Sequence, residues 1–242
     1  MSIIESLPSN SIYDQGPASR AFLSYGCPDF HHAAQTIWKL PYGRNSAPDE
    51  LLVLDEGQGT CSTKHGLLAR CANELGLEVE LVLGIYLLTP EHSPEIASIL
   101  RDAELDSLPE AHCILRCSGS LIDLTFSGEG KRWSPAEFMA YETIRAEDVH
   151  DYKKTIHRLF IDGWSLRHHT DLRAAEIWTL RERCVMALAQ SDKRQRAPHD
   201  ATAQPASPNG LMPGGNDRET QVFSAPESQA PPRPTPAQKD RP

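Results

Sequence analysis

From position 28 to 40 the apolar residues Phe30, Ala33, Ala34, Ile37 and Trp38 recur three and four apart, the spacing of one face of an amphipathic helix that Pro41 ends. A second helical stripe begins at Cys61 and carries Leu68, Cys71, Ala72 and Leu75, with Leu67 alongside and Gly76 placed as the residue just past the end. The polar run before it, Gly57-Gln-Gly-Thr60, predicts a tight turn with Thr60 as N-cap. Positions 77–88 alternate at first and then turn wholly apolar, the pattern of a strand entering the middle of a sheet. Positions 89–109 are polar and acidic and predict an excursion with a short helix at Ile96, Ile99 and Leu100. A hairpin turning at Ser118-Gly119 is expected over 111–126. An edge strand at 139–144 and two helices, at 152–164 and 172–188, complete the pattern. The order of elements predicts an α+β fold, with a cysteine-bearing helix packed on a small antiparallel sheet and additional C-terminal helices. There is no internal repeat.

Residues 1–26 show little periodicity and read as a loose lead-in to a domain at 27–190. From 191 to 242 the composition changes: 10 of the chain's 19 prolines fall there, with almost nothing to form a core, so this stretch reads as a disordered, proline-rich tail. Of the 24 basic and 33 acidic residues, 7 and 6 lie in that tail, which leaves 17 and 27 in residues 1–190. An acidic globular part argues against nucleic acid or an anionic membrane as partner. The amino terminus lacks a basic, apolar export signal, and no apolar run reaches the ~18 residues of a membrane span. Six scattered cysteines without a C-x-x-C pair then read as free thiols in a cytoplasmic protein.

The candidate chemistry starts at Cys61. A thiol at the first position of a helix meets unpaired amides and the positive end of the dipole, which favour the thiolate. Lys64 and His65, one turn on, are expected to add positive charge. In a hairpin turning at 118–119, His112 and Asp123 share one face and stand diagonally, within side-chain reach. A carboxylate on one imidazole nitrogen fixes the tautomer and frees the other for a nucleophile. The roles that follow are nucleophile Cys61, general acid/base His112 and orienter Asp123, with the Cys61 backbone N–H or Gln58 as oxyanion donor. Cys113, Leu115 and Cys117 share the opposite face with Ile122, Leu124 and Phe126, which must be core. A metal held by Cys61 and His65 with His112 or Cys113 is the weaker reading, so neither metal nor cofactor is expected.

Gly-Thr-Cys61-Ser-Thr-Lys-His before a helix, then His112 opening a strand, then Leu-Ile-Asp123-Leu-Thr, resembles the transglutaminase-like superfamily. The resemblance covers positions 51–126 and keeps the order Cys, His, Asp. It implies a papain-like α+β core and a cysteine enzyme acting on amide or peptide carbonyls through a thioester, by hydrolysis, deamidation or transamidation. Its substrate would be a peptide, a protein or a small amide. The histidine here is followed by Cys113-Ile114, where many members have Ala-Trp. The calcium loop of the animal enzymes, the four-cysteine zinc site of the peptide N-glycanases and the Arg-Gly-Gly-x-Cys of the arylamine acetyltransferases are absent, so the substrate stays open. The alternative is a catalytically silent copy of the fold acting as an interaction module, with a protein partner for Pro231-Pro-Arg-Pro-Thr-Pro236.

Overall fold

A computed structural model describes residues 3–127, 134, 137–168 and 171–200, with the side chains of all but 197–200. The chain is α+β: among these residues, seven α-helices surround one antiparallel sheet of four strands. The helices are α1 (Pro17–Ser24), α2 (Phe30–Lys39), α3 (Leu52–Asp55), α4 (Cys61–Glu74), α5 (Ala97–Asp102), α6 (Asp151–Arg167) and α7 (Ala174–Asp200). The strands are β1 (Val79–Leu88), β2 (Leu108–Cys117), β3 (Ser120–Ile122) and β4 (Ala140–Ile144), in the order β3-β2-β1-β4. The two apolar runs become the two central strands, as strands buried on both faces must.

The β2–β3 hairpin turns at Ser118 and Gly119, both with positive φ, and pairs Leu115 with Ile122. β3 stops at Ile122, so Asp123 leaves the ladder one residue beyond the strand. On the other side Gly84 of β1 stands opposite His112. The odd positions Leu81, Leu83, Ile85, Ala111, Cys113 and Leu115 form one core with Leu67, Leu68, Cys71 and Ala72 of α4. The even positions Tyr86, Leu88 and Leu108 pack with Cys184, Val185 and Leu188 of α7. Strand alternation groups Glu110 and His112 with that second set.

Two boundaries differ from the sequence reading. Residues 3–26 are not a loose lead-in: Ile4, Leu7, Ile12, Ala18 and Phe22 enter the main core, and the α1 amides Ala18 and Ser19 donate to the Glu74 carboxylate at 2.9 and 2.7 Å. The stripe is too short to show periodicity, and its N-terminal capping partner lies 55 residues away. Order also continues past Gln190. Asp192 accepts from the Tyr42 N–H at 2.7 Å, and Arg196 reaches the Lys39 carbonyl at 2.5 Å and the Ser127 hydroxyl at 2.9 Å. These polar residues tie α7 to the loop after α2, although their composition resembles the tail that follows. The rest of that tail, 201–242, lies outside the described residues. No described helix is long and apolar enough to cross a membrane.

Candidate active site

The turn that presents Cys61 is built by close approach. Gly57 takes φ +62, and a Cβ on Gly59 would stand 2.9 Å from the Lys64 and Thr63 side chains. Thr60 then caps α4 reciprocally: the Thr63 N–H donates to its hydroxyl at 3.4 Å and the Thr60 N–H donates to the Thr63 hydroxyl at 3.0 Å. Cys61 therefore sits at the first helical position, 4% exposed, with no intrahelical partner for its N–H.

His112 meets it from β2. Its Nε2 lies 3.0 Å from Asp123 Oδ2, and the ring's remaining nitrogen is left for the Cys61 thiol, to which His112 is hydrogen-bonded. Asp123 is fixed in turn: the Thr125 N–H donates to its Oδ1 at 2.8 Å and the Thr125 hydroxyl at 2.5 Å. The three residues expected to work together are thus brought together. The electrostatics follow from the geometry. Burial alone pushes the Cys61 thiol up, but Lys153 and His112 outweigh it and bring it down to about 5. Burial alone lowers His112; Asp123 and Cys61 reverse this and raise it to about 10. Burial raises Asp123, yet His112 holds it well below the usual carboxylate range. Between these limits the thiol and the imidazole exist as an ion pair whose titrations belong to both groups.

The supporting cation is a different residue from those expected. Lys153 of α6 places its Nζ 3.4 Å from Cys61 Sγ and 2.6 Å from the Ser62 hydroxyl. Although burial lowers its pKa, Cys61 and the neighbouring Cys113 and Glu110 raise it on balance, so it stays charged. A Lys-Lys pair on a helix gives no sign of this in sequence, where it resembles an exposed charged face.

Lys64 and His65 do other work. Lys64 is fully buried and its ammonium donates to three carbonyls, Leu40 at 2.8 Å, Leu124 at 3.3 Å and Thr125 at 2.7 Å. Burial, chiefly, lowers it to about 7. His65 donates from Nδ1 to the Cys61 carbonyl at 2.9 Å and accepts at Nε2 from the Leu124 N–H at 2.8 Å. That bonding fixes it as a neutral tautomer, and burial lowers it to about 4. Both residues clamp the segment after Asp123 onto α4, and His65, with both nitrogens engaged, is no metal ligand. Among the described residues no three His, Cys, Asp or Glu side chains converge as a metal site. Lys64→Met should lower stability by about 2–4 kcal/mol, because three carbonyls lose their donor. Thermal unfolding measures that loss, while the Cys61 titration should stay near its original midpoint.

Gln58 is also elsewhere: its amide donates to the Arg44 carbonyl at 2.7 Å, and it lines neither cavity at Cys61. The residue that does line the space at the thiol is Tyr42. Its backbone is bridged to Gly59, its N–H is held by Asp192, and its ring packs on Phe126 with centroids 4.8 Å apart. Its hydroxyl has no partner among the described residues, and Tyr42 lines both cavities that meet at Cys61. One of these is an open groove of about 420 Å³ running past α6 and α7; the other is a space of about 30 Å³ beside His112 and Tyr86. Sequence reasoning missed Tyr42 because only the bridge to Gly59, 17 positions on, brings it to the thiol.

Comparison of the chain with protein-family models, with curated proteins and with solved structures gives no match in any of the three.

Proposed function

We propose that this protein is a cysteine-dependent acyl-transfer enzyme of transglutaminase-like type, with a papain-like core, acting on amide or peptide carbonyls. The observation that carries the reading is the relay itself: a thiol at a helix start, bonded to an imidazole whose far nitrogen is held 3.0 Å from a buried carboxylate. Histidine and carboxylate pair in many proteins for structural reasons, but the addition of a thiol with a lowered pKa is the signature of an activated nucleophile.

In this reading the Cys61 thiolate attacks the carbonyl carbon and a C–S bond forms. The carbonyl oxygen takes up negative charge against the Cys61 N–H and the Tyr42 hydroxyl. His112, as imidazolium, gives its proton to the departing amine nitrogen, the C–N bond breaks, and a thioester remains. The neutral imidazole then takes a proton from water or an incoming amine, which attacks the thioester and returns the sulfur as thiolate. Asp123 stays ionised throughout and holds the ring. Lys153 keeps the resting sulfur charged.

The test is an activated acyl donor, p-nitrophenyl acetate, given to the whole 242-residue chain. One acetyl group on Cys61, found by peptide mass spectrometry and discharged by hydroxylamine, is the expected result. Acetylation confined to surface lysines, with Cys61 untouched, would exclude the proposal.

A further inference from the structure

The chain carries a formal net charge of −9, yet the wall of the groove beside Cys61 is dominated by cations. Most of them are already matched. Arg44 pairs with Glu182. Arg181 bonds Glu110 at 2.6 Å and Glu182 at 3.0 Å. Lys153 is spent on the thiol and Ser62. His157 bonds the Pro109 carbonyl at 2.9 Å and burial lowers its pKa, so it adds no charge. His150 lies 3.3 Å from Glu50.

Two cations remain. Lys154 and Arg158 line the groove one helical turn apart on α6, and neither has a carboxylate partner among the described residues. The one unpaired acid on the same wall, Asp151, sits in the first turn of α6, where the helix dipole meets its charge. Like charges four apart on a helix repel, so their juxtaposition costs the helix a little stability. Arg158 is also oriented: its guanidinium lies over the Trp178 ring at 4.8 Å, which positions it while leaving its N–H donors free. Counting from Lys153 at the sulfur, the free pair extends up to about 7.5 Å farther along the helix axis.

We propose that this groove selects acyl substrates bearing an anionic group, a carboxylate or a phosphate, a few bonds from the scissile carbonyl, with Lys154 and Arg158 as the specificity-determining residues. The inference rests on the acyl-transfer reading and names its substrate class. Arg158 binds the anion through its planar fork, Lys154 as a point charge, and Trp178 forms the apolar floor beside them.

The test compares three alkylating reagents at Cys61 of the whole 242-residue chain: N-iodoacetyl-β-alanine, its uncharged carboxamide, and 2-(iodoacetamido)ethyl phosphate. In each case the sulfur displaces iodide and a C–S bond forms, so only the distal group differs. At low salt at least one anionic reagent should react about tenfold faster than the carboxamide, and the advantage should fall away at about 0.5 M salt. The faster of the two anions tells carboxylate from phosphate. In K154E/R158E the anionic reagents should lose their lead and fall behind. Equal rates for charged and neutral reagents in the parent would overturn the inference. So would a lead that survives the double charge reversal, since the thiol's own partners would then be its source. A Cys61 that takes no acetyl from p-nitrophenyl acetate is a separate failure, of the enzyme reading, because the rate ratio at Cys61 is measurable whatever its absolute reactivity.

Discussion

His112→Ala should slow discharge of p-nitrophenyl acetate through Cys61 by about 10²–10⁴-fold, the range expected for loss of a positioned general acid/base. Two effects add. The water that discharges the thioester loses its proton carrier, and the thiol loses one of the two cations that hold it near 5. The second effect has its own signature: the acid limb of the rate profile, set by the thiolate in the parent, moves upward. The parent profile should rise through about 5 as the thiolate forms and fall above about 10 as the imidazolium is lost. Lys153→Met separates the two, since it should raise the acid limb while the proton carrier remains. Steady-state rates across pH for the parent and both variants check this, and an H112A rate within about threefold of the parent would remove His112 from the chemistry.

The second large effect is on stability. Arg181→Met should destabilise the fold by about 3–5 kcal/mol, because it leaves the Glu110 carboxylate buried without its partner. Glu110 is 6% exposed and belongs to β2, two residues before His112, so this pair anchors the histidine strand to α7. Burial alone would raise Glu110; Arg181 outweighs it and brings the carboxyl to about 2. In the parent, the pair's contribution is therefore complete above about 4.5 and is lost as pH falls toward about 2. In the variant the sign reverses. A buried carboxylate with no guanidinium has a raised pKa, so protonation in acid relieves it, and the deficit against the parent should shrink as pH drops from 7 to about 4. Urea unfolding at several pH values measures both trends, and E110Q/R181M should recover much of the loss. A deficit that is small and independent of pH would mean that the pair does not hold the strand.

How much of this was legible in the sequence depended on distance along the chain. The cysteine turn, its Thr60 cap and the hairpin register are local, written in spacings of a few residues, and they suffice to bring Asp123 to His112. The bond between the hairpin and Cys61 rests on packing of α4 against the sheet, which the apolar stripes foretold. What stayed hidden came from afar. Lys153 arrives from α6, 92 positions on, and Tyr42 through a single bridge to Gly59. Lys64 and His65 show the opposite error: close to Cys61 in sequence and charged in principle, they are turned toward backbone groups that use up their donors and acceptors. Composition misled at both ends. Short amphipathic pieces such as α1 have no period to detect, and Asp192 and Arg196 look like linker residues until their backbone partners are known.

Cys61 is set apart from the buried thiols around it because its sulfur is an anion at neutral pH. Burial holds Cys71 up at about 12, and Cys113 and Cys184 at about 11. Thiolate absorbance in the ultraviolet, titrated on the native chain and on Cys61→Ser, reads the difference directly. The expected result is one thiolate appearing near 5 in the native protein and missing from the variant. The same curve for both proteins, with no thiolate below the ordinary cysteine value of about 8.5, would contradict the account.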